Sequence, residues 1–359
     1  MTTVATRIPH SRPAIDQEDL RAATDVLGSR QIAQGPVVER FERSMAGFFG
    51  LEGGVAVSSG TAALELALQA LKIGAGDEVI MPSYVCAAPW LATQRVGVQA
   101  TLVDIDLDTF NIDPLAARRA VTKKTRAIIV PHLFGLPADL TALERLGVPL
   151  IEDCAQTLGA TEQGRPVGTV GRLTVCSFYA TKLLCAGEGG MVLSNEGALL
   201  ERVRSLREYD GAPTLDPSSF NLKLTDLQAA LGLSQLGRFS AFQERRCFLA
   251  EAYRETLSSK AVVCPSVPLG RTHGYYRFVM RLPHAQTDPD DFLNLISRLE
   301  QQGIHCRKPV FRPLHRYLHQ SGFPRSDEAD RTALSIPLYP DLTDGEVRQI
   351  QQSLVKALS

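Results

Sequence analysis

The sequence predicts an α/β protein: a large domain on a mostly parallel sheet, followed by a smaller C-terminal α/β domain. Three observations carry this. Between about residues 50 and 200, apolar runs of strand length alternate with helical or loop stretches, the pattern of a parallel sheet covered on both faces. A long helical stretch, 226 to 257, then separates two regions of different character. The 359 residues suffice for about two domains, or one large domain with a smaller appendage.

In chain order, the turn "SSGT" leads into "AALELALQALK", which is apolar at helical spacing. The runs "DEVIMP", "QATLVDID", "RAIIVPHL", "VPLIEDCA", "RLTVCSFY" and "GGMVLS" read as buried strands. Sheets of this kind gather ligands at the carboxyl ends of their strands. "DLQAALGLSQLGRFSAFQERRCFLAEAYRETL" reads as one long helix or two in succession. Beyond it, "KAVVCPS", "YYRFVMRLP" and "GIHCRKPV" look like strands, with a helix near 289 to 302 and another from 343 to the end. The boundary falls near residue 240, giving domains 1–240 and 241–359.

Composition removes several function classes. With 44% hydrophobic and 21% charged residues the chain reads as a soluble globular protein. A net charge of −1 gives no electrostatic case for nucleic acid or an anionic membrane. No run of eighteen apolar residues occurs, and the first twenty residues lack an apolar signal-peptide core. Seven scattered cysteines without a C-x-x-C pair suit reduced thiols in the cytoplasm rather than a disulfide framework or zinc site. His315 and His319 lack a third ligand and an H-E-x-x-H context, so no metal is expected. P-loop, G-x-S-x-G and strand-linked G-x-G-x-x-G signatures are missing as well.

Four features fall at the ends of expected strands. Ser58, Ser59, Gly60 and Thr61 stand at a helix start, where free N–H groups and the helix dipole suit a phosphate; a plain Ser or Thr cap is the ordinary alternative. Glu152 and Asp153 end an apolar strand, where a carboxylate can hold a cation, a ribose hydroxyl or a protonated ring nitrogen, or simply be solvated. Lys182 lies among small and apolar neighbours before Gly187, Gly189 and Gly190, and five residues after Ser177. A desolvated lysine amine can form a Schiff base; it can also be a surface lysine lying over apolar neighbours. Asn221 precedes a helix capped by Thr225 or Asp226. Jointly, a strand-end aspartate, a downstream loop lysine and Ser/Thr/Gly at a helix start are what pyridoxal phosphate needs, since a protonated pyridine ring acts as an electron sink.

The blocks "QIAQGPVVERFERSMAGFFG", "SSGTAAL", "GAGDEVIMPSYV", "LVDIDLDTFNID", "LIEDCAQTLGA", "VGTVGRLTVCSFYATKLLCAGEGGMV", "FNLKLTDLQAALGLSQL" and "SIPLYPDLTDGEV" occur in this order over nearly the whole chain. In them the sequence resembles the DegT/DnrJ/EryC1/StrS family, sugar aminotransferases among the fold-type I pyridoxal phosphate enzymes. The resemblance implies a large domain with a mostly parallel seven-stranded sheet and a smaller C-terminal domain. It implies that Lys182 carries pyridoxal 5′-phosphate as a Schiff base and shuttles the proton. It places Asp153 at the pyridinium nitrogen, Gln156 near the ring hydroxyl, and Ser59, Gly60, Thr61 and Ser177 at the phosphate. Asn221 would reach that phosphate from the neighbouring subunit of a homodimer. Tyr84, Glu188, Arg312 and His315 would lie toward the substrate.

Two departures stand out. The family carries a ring-stacking aromatic two places after Tyr84, where this chain has Cys86, so Tyr84 or Trp90 would have to take over or the ring be held more loosely. The family's H-Y-P-P-x-H block reads "KPVFRPLH" here, with Lys308, Arg312 and His315 adding positive charge suited to a phosphate or carboxylate. Lysine rather than histidine at 182 favours aminotransfer over dehydration. The reading implied is a cytoplasmic aminotransferase moving an amino group from glutamate or glutamine to a keto-sugar, nucleotide-linked, or a cyclitol, in amino-sugar synthesis for a glycan or an antibiotic. The alternatives are a dehydratase, lyase or cyclase on the same scaffold, and a regulatory protein that binds the cofactor without turnover.

Overall fold

The computed structural model describes residues 7–210, 216–283 and 289–358. Its centre is a seven-stranded sheet of β1 (Gly53–Val57), β2 (Glu78–Pro82), β3 (Gln99–Val103), β4 (Thr125–Pro131), β5 (Leu150–Asp153), β8 (Leu173–Ser177) and β9 (Gly190–Ser194). Two short strands between β5 and β8, β6 (Thr161–Glu162) and β7 (Arg165–Pro166), make a separate hairpin. The sheet runs β1-β9-β8-β5-β4-β2-β3. Neighbours pair parallel except at β9, which is antiparallel to β8 and β1. The carboxyl ends of β1, β2, β4, β5 and β8 therefore open along one edge.

Side chains alternate across the sheet, and both sides are apolar because helices cover both. Val55, Val79, Ile129, Ile151 and Val175 pack on one side, with Leu66 of helix Gly60–Ala70 and Leu200 of helix Gly197–Arg207. Ala56, Ile80, Ile128, Leu150 and Cys176 pack on the other, with Phe41 of helix Pro36–Phe49 and Ala229 of helix Asp226–Gly237. Near-continuous apolar runs are what a sheet buried on both faces requires.

A third cluster gathers the C-terminal part. Strands β10 (Phe278–Arg281) and β11 (Ala333–Ile336) pair antiparallel, and helices Pro289–Gln301 and Asp344–Ala357 pack with them. Helix Phe239–Leu257 joins the parts: Phe239 sits in the second cluster, while Leu249, Tyr253 and Leu257 sit in the third. Ile8 also packs in the third cluster, through a parallel bridge to Ile304. Among the described residues no helix is long and apolar enough to cross a membrane.

Residues 226–257 form two helices in succession, not one. Two of the expected strands fail. "KAVVCPS" and "GIHCRKPV" make only isolated bridges, Val263 to Arg281 for the first and Ile304 to Ile8 and Arg307 to Ser335 for the second, with no continuous ladder. Conversely β1, hidden in the glycine-led "GGVAV", is a full edge strand of the sheet.

One carboxylate clasps helix Pro36–Phe49 to helix Asp226–Gly237. Helix Pro36–Phe49 starts at Gly35, which has no side chain to cap it. Asp226, fully buried at the start of its own helix, supplies the cap: Oδ1 accepts from the N–H of Gly35 and Val38, both at 2.9 Å, and Oδ2 from Val37 at 3.3 Å. Gly35 is required, since a Cβ there would stand 2.9 Å from Oδ2. Asp226→Ala should lower stability by about 3 kcal/mol by stranding buried N–H groups, seen as a reduced urea midpoint.

Candidate active site

The open sheet edge collects a cavity lined by residues that follow four strands. Ser59, Gly60 and Thr61 come from the end of β1, Pro131 and His132 from β4, Asp153 and Gln156 from β5, and Ser177 and Lys182 from β8. Cys86 and Glu188 complete the wall.

At the helix start, Ser59 is a true N-cap: its Oγ accepts from Ala62 N–H at 3.1 Å. The oxygen is thereby engaged by the helix, and its O–H remains a donor. The first-turn N–H groups of Gly60 and Thr61 belong to the orphan donors of a helix start. Ser177 closes on them, so a Cβ built on Gly60 would stand 2.8 Å from Ser177 Cβ and 3.2 Å from its Oγ. Gly190 is equally constrained, since any Cβ would run into the Ser59 carbonyl. Helix start and strand end thus meet over glycines, leaving N–H and O–H donors for an anion.

Lys182 rides on the connection between β8 and β9. Backbone bonds tie its base: Phe178 N–H to Gly189 O at 2.9 Å, Ala180 N–H to Gly187 O at 2.9 Å and Ala186 N–H to Phe178 O at 2.8 Å. Gly187 has φ 81°, a left-handed turn that favours glycine. The Lys182 Nζ lies 5.2 Å from the ring centroid of Tyr276. Burial alone would raise the Tyr276 phenol, but Lys182 and Arg277 outweigh it and bring it down to about 7.

Two adjacent carboxylates end β5 with opposite surroundings. Glu152, fully buried, accepts from His132 Nε2 at 3.0 Å and from the N–H of Gly168, Val170 and Gly171 at 2.7, 2.8 and 2.6 Å. His132 Nδ1 accepts from Ala138 N–H, so the ring proton sits on Nε2 and points at Glu152. Burial opposes the charge, yet these donors hold the Glu152 carboxyl below its ordinary value. His132, Glu152 and Cys154 cluster tightly enough for a metal, but protein donors already occupy the carboxylate and imidazole. Asp153 accepts one backbone bond, from Ala155 N–H at 3.0 Å, and lines the cavity. Burial pushes its carboxyl up, with Ala155 and Lys182 pulling it partly back. A cation in the cavity would complete it. Gln156 Oε1 accepts from Phe134 N–H at 2.9 Å, which leaves the amide nitrogen to donate into the cavity.

Several expected residues lie elsewhere. Tyr84 is fully buried, stacked near Phe110 with its hydroxyl directed at Ala329 O, so it neither faces a substrate nor replaces the missing aromatic. Trp90 packs against the core and does not line the cavity, where Cys86 stands. His315 is buried between Ser83 Oγ, 2.6 Å from Nδ1, and Asp327 Oδ1, 3.0 Å from Nε2, and is taken up by structure. Arg312 is exposed, over the Tyr317 ring, outside the cavity. Asn221 is exposed and does not line its own chain's cavity. His132 and Tyr276 were missed. His132 ends a strand as Asp153 does and could have been flagged on that ground; Tyr276 is far along the chain with no local signal.

The residues present fit pyridoxal phosphate: anion donors at one end, a buried under-partnered carboxylate across the cavity, an amide donor and one amine. Fold and site together define a fold-type I enzyme of this cofactor. The chain belongs to the DegT/DnrJ/EryC1/StrS aminotransferase family, which it matches over residues 13–355. It is 30% identical over 375 residues to the spore coat polysaccharide biosynthesis protein SpsC of Bacillus subtilis, covering 97% of this chain and 96% of SpsC. Among solved structures it superposes on the aminotransferase TlmJ from Streptoalloteichus hindustanus with a TM-score of 0.91 at 30% identity, covering 98% of each chain. Spr1654 from Streptococcus pneumoniae, solved in PLP and PMP forms, gives TM-scores of 0.92 and 0.93 at 25% identity, with 98% of this chain covered and 98% and 97% of those chains. The chain is a pyridoxal-phosphate-dependent aminotransferase.

Two outcomes follow. Gly60→Ala should push Ser177 aside and weaken cofactor binding by about tenfold or more, roughly 1.4 kcal/mol, measured by spectroscopic titration of the apo-protein. The depressed folded value of Glu152 adds stability that is present above its ordinary value of 4.5 and is lost as pH falls through the folded value. Glu152→Gln should therefore cost about 3 kcal/mol at pH 7, and its deficit should shrink below about pH 4, measured by urea unfolding at both values.

Proposed function

We propose that this chain moves an amino group from an amino acid, glutamate or glutamine, onto a keto group of a sugar, nucleotide-linked, or of a cyclitol, in amino-sugar synthesis. One observation carries the reading: a lysine amine, a buried carboxylate with one bond and a Gly60–Ser177 anion cradle open into one cavity. Bound there, pyridoxal phosphate supplies an electron sink for the carbon bearing the nitrogen. Lys182 anchors the cofactor, then holds and returns the proton at the substrate carbon. Asp153 keeps the ring nitrogen protonated, and the nitrogen's charge offsets the burial of the aspartate. Gly60, Thr61 and Ser177 hold the phosphate, with Ser59 fixing the helix start. Gln156 donates to the ring hydroxyl, Cys86 lies against the ring and Glu188 borders the substrate side. The role of SpsC in a coat polysaccharide supports a sugar acceptor.

The enzyme acts in the cytoplasm as a homodimer with its sites at the subunit interface. The exposed position of Asn221, outside its own chain's cavity, supports this arrangement, in which it reaches the partner's phosphate.

The test is an absorbance spectrum before and after adding L-glutamate. The visible band of lysine-bound cofactor should fall while the near-ultraviolet band of the amine form grows. Lys182→Ala should lack that band and lose on the order of 10⁴-fold in turnover. A Lys182→Ala protein with normal turnover would sink the reading.

A further inference from the structure

Lys182 borders a second cavity whose other walls are separate from the first. They come from residues 10–14, Arg246 of helix Phe239–Leu257, Tyr276 and Arg277, and Tyr339. This cavity is narrow, with room for one small group rather than a sugar.

Its charge is one-sided. Among the described residues no carboxylate lines it, while Arg12, Lys182, Arg246 and Arg277 do. Arg12 is taken by Asp341 and Glu346. Arg246 and Arg277 have no acidic partner among the described residues. Arg246 is only 4% exposed. Its Nη1 donates to the carbonyls of Tyr275, Tyr276 and Leu338, each at 3.2 Å, while its Nε has no partner. Carbonyls orient a guanidinium without neutralising it, and burial brings its pKa down to about 10. Tyr339, 2% exposed, likewise has a hydroxyl with no partner. Arg277 is half-buried and meets no carboxylate among the described residues: it donates to His10 Nε2 at 3.2 Å and to the Tyr276 oxygen at 3.3 Å. Burial, with Arg277 and Arg307 nearby, holds the His10 imidazole down to about 3, so it is a neutral neighbour.

Buried donors without acceptors, in a wall with unpaired guanidiniums and no carboxylate among the described residues, ask for an anionic ligand. We propose that this cavity takes a carboxylate of the amino donor, held by Arg277, Arg246 and Tyr339 while the donor's nitrogen lies at Lys182. The inference rests on the amino-acid donor proposed above. The planar guanidinium fork matches a carboxylate, and the room suits one. Lys182 Nζ and Arg277 Cζ both lie against the Tyr276 ring, 5.2 and 5.0 Å from its centroid, and both line this cavity.

The test uses glutarate, a dicarboxylate with no amino group, titrated calorimetrically into the apo-protein at constant ionic strength. Wild type should bind it. Arg277→Gln, with melting temperature unchanged, should bind it at least about tenfold more weakly. Tyr339→Phe should lose a few-fold, and Arg277→Lys should recover part of the loss. In the holoenzyme, the L-glutamate concentration that halves the visible band should rise by a similar factor in Arg277→Gln. No glutarate binding by wild type, or equal binding by Arg277→Gln, overturns the site. Lost glutarate binding with an unchanged glutamate dependence overturns the donor assignment and leaves a general anion site. Glutarate binding is read without cofactor, so a missing visible band in wild type would count against the proposed function separately.

Discussion

A buried carboxylate fixes the end of β5, and the site is built outward from that point. Glu152 faces one side of the sheet and is saturated by four donors; Asp153, the next residue, faces the other and accepts one. The strand geometry forces this division, since consecutive side chains point to opposite faces. The four donors draw the segment 168–171 and His132 onto one anion, and His132 in turn holds Ala138 N–H. The loop after β4, the end of β5 and the turn before β8 thus share one electrostatic centre. The two carboxylates respond in opposite directions, the saturated one down and the under-partnered one up. Such a separation between neighbours marks one as scaffold and the other as open to a ligand.

The antiparallel placement of β9 is the second constraint. A parallel successor to β8 would need a long crossover. An antiparallel one needs only a loop, so Ser177 and Lys182 stay five residues apart and both face the edge where β1 ends. β9 then lies between β8 and β1, with Gly190 against Ser59. The close contact of helix start, strand end and lysine loop follows from strand order and from glycines that allow backbones to touch.

Much of this could be read in the sequence. Asp153, Ser177 and Lys182 are legible because strands end there and α/β sheets gather ligands at such ends. The glycines at 60, 187 and 190 are legible as a helix start and a glycine-rich turn, while the crowding at Gly60 and Gly190 and the left-handed backbone of Gly187 show only in the fold. What escaped is what local pattern does not encode. Tyr84 and Cys86 are two residues apart in a loop, where no fixed alternation applies, and only contact with Phe110 and Ala329 shows that the tyrosine turns inward. His315 looked like free positive charge near a substrate, but Ser83, more than two hundred residues earlier, and Asp327 close its hydrogen bonds. "GIHCRKPV" has strand composition without a neighbour to pair along its length.

Tyr276, Arg277 and Arg246 are the strongest case of information carried by the fold alone. Nothing around them in sequence points to Lys182, yet the C-terminal layer brings the Tyr276 ring against its amine and lines the same cavity with two guanidiniums. A chain selected for stability alone has little reason to keep them so. Each buried donor without an acceptor costs about 1–3 kcal/mol, and a buried guanidinium without a carboxylate costs more. Asp153 presents the mirror image, a buried carboxylate one partner short. Lys182 stands between the two, with an acid lacking a cation on one side and cations lacking an acid on the other. Stability is given up on both sides of one amine, and a cationic ring with an anionic donor would restore it on both.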